Sequence, residues 1–491
     1  MPIRENDTTF VFNIKSFQSG INEQLAEGLL KMYEAVKCNN CDISNGSLST
    51  FPEPTEWYKE NEKIGNVLPF YNFTSSDLFL TVGTKLKKIS GNNIYNVSGR
   101  FLDSVNFQYG DNRVLICTSA SDIPFKYEAG NVKKLLNRRK KYDDEGNLVG
   151  YIDANGNEHS SESDITTYAP KGDFIELYYD RLWIAGDKDN PDRLYFSTTN
   201  TNGADIQDFT VPLAEEEEIN MHGGFIDVRT YDGSKIIGLK KVFNSLVVFK
   251  EKSAHKVYGS SPSNYQMVDL FNSNGAIANR SICTGTNGCF FLNSDGIYYY
   301  DGTNTNLISQ KIQKIIKRMN VNYANNSVGI YYDNKYYLAI PVDGSESNNL
   351  LIEYNVNLKS FTTYDVGDIT QFLEWNNKLY IVSGSKILEL FNGTKCLPLY
   401  WETPYFDFDS KNTRKLSNYI YFRASGEGKI RFELETERKT KILEIDVTGE
   451  EKFYRKKLKN KGRMFKLRIS NVDNSKFTLT APQLFVEADE D

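Results

Sequence analysis

Histidine is scarce in this chain: His159, His222 and His255 are the only three in 491 residues, and they lie far apart in sequence. That leaves no histidine cluster for a metal or for acid–base chemistry, so each reads as a surface or turn residue. Cysteine is also sparse. The six, at 38, 41, 117, 283, 289 and 396, fit reduced thiols rather than a disulfide framework. Nowhere do eighteen apolar residues run together, which excludes a membrane-spanning helix. Met1 to Phe10 has no basic segment followed by an apolar run, so no signal peptide is expected. A formal charge of −6 gives no overall attraction to nucleic acid, and local basic runs must be judged separately.

What is abundant is aromatic: 31 Tyr and 30 Phe, with 34 Gly and recurring Asn-Gly and Asp-Gly pairs. This is the composition of short strands joined by tight turns, and an all-β fold is expected. At this length one compact core does not suffice unless the architecture is a repetitive ring.

A weak unit repeats from about residue 68 to 400, in which Asn or Asp opens a short apolar strand, a turn follows, and an aromatic strand returns. Seven openings are visible, at Asp77, Asn112, Asp180, Asn244, Asn287, Asn334 and Asn377. The last four are spaced by 43, 47 and 43 residues, the length of a four-stranded propeller blade. Six or seven blades satisfy the pattern, and seven fits better. The clearest unit joins Cys289-Phe-Phe-Leu to Ile297-Tyr-Tyr-Tyr through an Asp-Gly turn.

Around this repeat the chain divides into an arm over 1–67, a propeller over 68–400 and an antiparallel β-sandwich over 401–491. The arm should hold a strand over Thr9 to Ile14 and a helix from near Asn22, with Leu25, Leu29, Met32, Tyr33 and Val36 on one face. A charged hairpin is inserted at 138–163, and a second elaborated loop carries Glu215 to Glu218. A short helix is expected after Ser309 as N-cap, burying Ile308, Ile312, Ile315, Ile316 and Met319. In the sandwich, period-two alternation runs through Ile430, Phe432 and Leu434, then Leu443, Ile445 and Val447, then Phe465, Leu467 and Ile469.

Motifs that could carry chemistry resolve into turns. Cys38-x-x-Cys41 is half a zinc ribbon without its second pair. No Ser stands in a Gly-x-Ser-x-Gly elbow. Asp153-Ala-Asn-Gly-Asn-Glu158 and Asp187-Lys-Asp-Asn-Pro-Asp192 lack the spaced glutamate of a calcium loop. No catalytic, metal or cofactor residue is nominated, and no cofactor and no enzymatic activity are expected. Two charged segments remain as partner-facing or conduit-facing candidates: Arg138, Arg139, Lys140 and Lys141, and Glu215, Glu216, Glu217 and Glu218. A further basic run, Arg455 to Arg463, reads as a solvated face or a seat for an anionic partner.

Several segments together resemble the propeller hub and nozzle proteins of bacteriophage tails. They are Phe17-Gln-Ser-Gly-Ile21, Cys41-Asp-Ile-Ser-Asn-Gly46, Asp180-Arg-Leu-Trp-Ile-Ala-Gly-Asp187, Asp192-Arg-Leu-Tyr-Phe-Ser197, Lys250-Glu-Lys-Ser-Ala-His-Lys-Val-Tyr258 and Lys461-Gly-Arg-Met-Phe-Lys-Leu-Arg-Ile-Ser-Asn471. The charged hairpin and the acidic run have no counterpart in that pattern. The resemblance implies a virion structural protein, assembled in the host cytoplasm into a ring, commonly six-fold. Its partners would be other tail or connector proteins, with DNA passing through without sequence-specific binding. Two other functions fit a Tyr-rich propeller: a receptor- or carbohydrate-binding protein, and a glycoside hydrolase with a carboxylate site in the ring mouth.

Overall fold

The computed structural model describes residues 9–25, 29–31, 33–72, 76–98, 101–109, 112–199, 206–212, 222–229, 233–270 and 275–488. The chain is mostly β, and its repeating element is a four-stranded antiparallel sheet. In chain order the first sheet is Ile64–Tyr71, Ser76–Val82, Lys85–Lys88 and Asn93–Asn96. The second is Asp103–Tyr109, Asn112–Thr118, Phe125–Glu128 and Asn131–Lys134, and the third is Phe174–Tyr178, Arg181–Ala185, Arg193–Phe196 and Gly224–Asp227. The fourth is Ile236–Val242, Ser245–Lys250, Ala254–Tyr258 and Gln266–Asp269, and the fifth is Cys283–Gly285, Gly288–Asn293, Gly296–Tyr300 and Thr305–Leu307. Val328–Tyr332, Lys335–Ile340, Leu350–Asn355 and Ser360–Tyr364 form the sixth set, part of a larger sheet. The seventh is Gln371–Trp375, Lys378–Ser383 and Lys386–Glu389, completed by Thr55–Lys59 from the arm.

Each of the seven Asn/Asp openings falls at the start of a sheet's second strand. The reason is turn chemistry. Tyr179-Asp180, Asp333-Asn334 and Asn376-Asn377 all hold two consecutive left-handed residues, with φ of 46 to 59°. That is the backbone of a two-residue type I′ hairpin, which Asn and Asp tolerate and which matches the twist of the flanking strands. The second strands Arg181–Ala185, Ser245–Lys250 and Gly288–Asn293 are buried at every position, as expected of strands covered on both faces.

The apolar cores lie between successive sheets. Leu68, Phe70 and Phe79 of the first sheet meet Leu115, Phe125 and Tyr127 of the second. Val114 and Ile116 meet Ile175, Leu182 and Ile184 of the third, and Trp183, Leu194 and Phe196 meet Leu239, Leu246 and Val248 of the fourth. Tyr337, Leu351 and Tyr364 of the sixth pack on Phe372, Leu379 and Ile381 of the seventh.

The chain forms two compact units by contact: 59–306 with 382–386, and 1–58 with 307–381 and 387–491. The boundaries differ from the expected 1–67, 68–400 and 401–491 because the arm is woven into other elements. Thr9–Asn13 pairs with Gln483 to Glu487, and Lys37–Asn39 lies between Ser360–Tyr364 and Tyr400–Glu402. Leu48 and Ser49 pair with Leu479 and Thr478. Phe17 meets the fully buried Trp401 edge-on at 5.0 Å, and Phe12 stacks on Phe406 at 4.3 Å.

Two helical expectations need correction. Among the described residues no α-helix follows Asn22: Ile21 and Ala35 form a bridge, and Leu25, Leu29 and Tyr33 are exposed. The apolar periodicity there finds no surface to bury against, and a helix has little support without one. Met32 lies outside the described residues. The later helix exists as Ser309–Ile312 and Gln313–Ile316, burying Ile312, Ile315, Ile316 and Met319. Ser309, however, is itself buried as its first residue and makes no side-chain cap; Ile308 holds the cap position.

The C-terminal region is one antiparallel sheet of three long strands, Lys415–Thr436, Thr440–Gly462 and Phe465–Ala488, with the first in the middle. Phe422 and Phe432, ten positions apart on one strand, have ring centroids 4.9 Å apart. An extended strand would separate them by about 33 Å, so the strand doubles back. The bend falls at register shifts between Ala424 and Gly426 and between Glu427 and Lys429, where Gly426 and Gly428 adopt φ of 121 and 147°. A Cβ at Gly428 would sit 2.1 Å from Ser475 Cβ, so glycine is required there. The expected sandwich is thus a single sheet folded over itself.

Trp401→Ala should remove the anchor between arm and sheet and lower stability by about 3–5 kcal/mol. Urea unfolding followed by tryptophan fluorescence and circular dichroism measures this, and a cost under about 1 kcal/mol would contradict the anchoring role.

Candidate functional site

In the unit formed by 59–306, the first strand of each sheet carries polar side chains toward its neighbours. Asn106 of the second sheet donates through Nδ2 to the Pro69 carbonyl at 2.9 Å, and its Oδ1 accepts the Tyr71 amide at 3.1 Å. Asp103 accepts the Ile175 amide of the third sheet at 3.0 Å and its own neighbour Ser104 at 2.9 Å. Glu176 of the third accepts the Lys241 amide of the fourth at 3.3 Å and lies 3.5 Å from Lys240 Nζ. Arg280, just before the fifth sheet, donates to Asn66 Oδ1 of the first at 3.1 Å, and its guanidinium stands 4.8 Å from the Phe101 ring centroid.

These contacts assemble two carboxylates, an ammonium and a guanidinium from four sheets. Burial pushes the Asp103 carboxyl up to about 6, against the opposing pull of the Ile175 amide and Lys240. Glu176 raises the Lys240 ammonium, whereas burial lowers Arg280 to about 10. Cys283 and Cys289 are held as thiols by burial, Cys289 at about 12. The cluster brings donors and acceptors of both charge signs together, and Asp103 is the carboxyl among them that burial raises toward neutrality.

None of these residues is named by a sequence motif, yet a signal exists. Glu176, Lys240 and Cys283 each stand four positions before a strand opening, at Asp180, Asn244 and Asn287. Aligning the repeats on their openings would have gathered them.

The charged segments singled out from sequence behave differently. The insertion is a three-stranded sheet of Arg138–Tyr142, Leu148–Asp153 and Glu158–His159. Arg138 is turned inward: it is buried, pairs with Glu162 through Nε at 2.8 Å, and stacks 5.0 Å from the Tyr151 ring. It holds the hairpin together rather than facing a partner. Arg139 reaches Thr210 at 3.3 Å and Asp208 at 3.8 Å, and Lys141 pairs with Glu158 at 2.6 Å. Lys140 is half-buried. Glu215 to Glu218 lie outside the described residues.

Asp153 organises a turn by accepting the amides of Asn155 and Asn157, both at 2.9 Å, and it lies 3.2 Å from His159 Nε2. Burial pushes its carboxyl up, but these hydrogen bonds outweigh it and hold the group below its usual range. Asp187 serves the same role for Asp189, Asn190 and Tyr195. His255 is buried between Asp269 and Ser253, at 2.7 and 3.0 Å. All six cysteines are unbridged, and among the described residues no group of three or more acidic, His or Cys side chains could hold a metal.

No protein-family model matches the sequence, and no curated protein matches it. Among solved structures, the computationally designed Ika8 protein is 10% identical, with a TM-score of 0.34, over 70% of this chain and 100% of that one. The AfRom2 CNH domain is 7% identical, with a TM-score of 0.37, over 69% and 97%. The Neurospora crassa Pan2 WD40 domain is 7% identical, with a TM-score of 0.34, over 80% and 99%.

The raised Asp103 carboxyl makes a signed prediction. From its ordinary 3.8 to about 6 the folded state holds a proton that the unfolded state has released. This contribution is therefore present at low pH and is lost as pH rises through 6. Asp103→Asn, whose NH2 cannot accept the second amide, should carry a fixed loss at every pH but gain stability on the parent as pH rises from about 4 to 7; thermal unfolding across that range is the measurement. A difference that is constant with pH would contradict it.

Proposed function

We propose that the chain is a non-enzymatic structural subunit of a bacteriophage tail. In this reading its seven four-stranded sheets are the blades of one propeller, and copies assemble into a ring, six-fold by the resemblance, around the conduit for DNA. The observation that carries it is the weave of arm and C-terminal sheet. A propeller closed on itself has little cause to associate, whereas elements outside the repeat supply surfaces for heterologous, ring-closing contacts. Here residues 9–50 and 400–488 are built into one another rather than appended as loose tails. Tail proteins and connector proteins are the expected partners, and the virion the expected location.

The solution mass of the purified protein, followed by electron microscopy of any assembly, tests this. A ring with a central channel is expected. A monomer that binds a defined glycan and joins no particle would replace this reading with a binding module.

One observation favours a second reading, the propeller hydrolase. Asp103, raised toward neutrality, and Glu176 share the polar cluster with Lys240, and a raised carboxyl is what a general acid needs. Polysaccharide hydrolysis that Asp103→Asn or Glu176→Gln abolishes would establish it; no turnover by the intact protein is expected under the structural reading.

A further inference from the structure

The outer face of the C-terminal sheet is aromatic where a one-sided sheet is polar. Before its bend, Lys415–Thr436 buries Ile420 and Phe422, and Phe465–Ala488 buries Leu484 and Val486. The positions between these point the other way, and alternation makes them the solvated set. They are Tyr419, Tyr421 and Phe485, all half-buried. The Tyr421 ring centroid lies 6.3 Å from that of Tyr419 and 4.9 Å from that of Phe485. Residues directly opposite in an antiparallel pair share a face. Thr440–Gly462 therefore adds Phe453, Arg455 and Lys457 to it, opposite Arg423, Tyr421 and Tyr419.

Cationic side chains rim the rings. The Arg455 guanidinium lies 4.2 Å from the Tyr419 ring centroid and 5.6 Å from that of Tyr421. Arg455 and Lys457 are both exposed, and neither makes an ion pair among the described residues. Phe453 is 65% exposed, with its ring centroid 6.0 Å from that of Tyr421. The carboxylates nearby are engaged: Glu451 pairs with Arg423 at 3.5 Å, and Glu487 accepts Asn418 Nδ2 at 2.9 Å. Guarding a free strand edge accounts for basic residues on Thr440–Gly462. It does not account for rings on the two strands behind that edge.

We infer that this face binds a single strand of nucleic acid, with bases stacked on the rings and phosphates on Arg455 and Lys457. An uncharged partner would leave both cations unanswered, and the same face of a second copy would set like charge against like. An anionic bilayer is flat, so it meets the exposed basic side chains before it reaches rings that lie half-buried beside them. Unpaired bases are thin plates that reach such rings, and each carries its own phosphate. A duplex keeps its base faces inside. Successive outward residues on a strand are about 6.6 Å apart, a step that one nucleotide of an extended strand spans, so rings and cations are engaged together. Every base has a π-face, and binding is therefore tolerant of sequence. The inference rests on this sheet alone and not on the phage-tail reading.

Fluorescence anisotropy of the full chain with a dye-labelled oligothymidylate of about 16 nucleotides tests this. Binding is expected at low salt, with the logarithm of the affinity falling linearly against the logarithm of salt concentration. Phe453→Ala, at an exposed position, should weaken binding about tenfold and leave the salt slope unchanged, because it removes stacking alone. Lys457→Gln should reduce the slope by about 0.7. Absence of binding at low salt overturns the inference, and so does a blunt duplex bound more tightly than the single strand. A Phe453→Ala protein that binds as the parent does also overturns it, since charge alone would then hold the strand. Capture on mixed phosphatidylcholine–phosphatidylserine vesicles that the oligonucleotide does not displace would give the face to a membrane instead. Rings by microscopy without oligonucleotide binding would remove this inference alone; a monomer that binds the oligonucleotide would remove the ring alone.

Discussion

A four-stranded sheet of this kind has an unpaired edge at its first strand, and its backbone amides and carbonyls need partners once neighbouring sheets cover them. In the unit of 59–306 the partners are side chains: Asn106 for Pro69 and Tyr71, Asp103 for Ile175, Glu176 for Lys241. Apolar packing between sheets tolerates sliding, but these bonds do not, because each joins one side chain to one amide. They fix the order and level of successive sheets. The same requirement concentrates ionisable groups, so a candidate ligand site arises from residues whose first task is to satisfy backbone.

This dual role explains the electrostatics of the cluster. Asp103 is kept by two amides, yet its burial raises it toward neutrality. A carboxylate needed only for structure would gain from a nearer cation, as Glu402 does from Lys466 and Arg468 at 3.1 and 2.8 Å. Arg280 similarly spends its guanidinium on Asn66 and the Phe101 face.

The repeat is legible in sequence because it rests on local chemistry. Two-residue left-handed turns favour Asn or Asp, and Asp180, Asn334 and Asn377 announce their hairpins without knowledge of the rest. The alternation around Ile430–Leu434 and Phe465–Ile469 is legible for the same reason. What depends on distant partners is not. The arm's apolar pattern at Leu25, Leu29 and Tyr33 suggests a helix, but the neighbouring Ile21 and Ala35 are claimed by a bridge. Arg138 reads as part of a basic run, although Glu162 and Tyr151 take it inward. The doubling of the C-terminal strands at Gly426 and Gly428 is invisible to a period-two pattern, which continues across the bend.

The weave of the arm also has a consequence in time. Thr9–Asn13 emerges during synthesis well before its ladder partner, Gln483 to Glu487. At roughly 5–20 residues per second, the arm waits tens of seconds with its strand edges open. Contacts of such long sequence separation form late, because loop closure must be achieved before they contribute. The sheets of 59–306, whose strands pair almost entirely with near neighbours in sequence, can mature during that wait. The ladder between arm and C-terminal sheet therefore closes only after Glu487 is made, so the sheets of 59–306 are set before the unit that the arm completes.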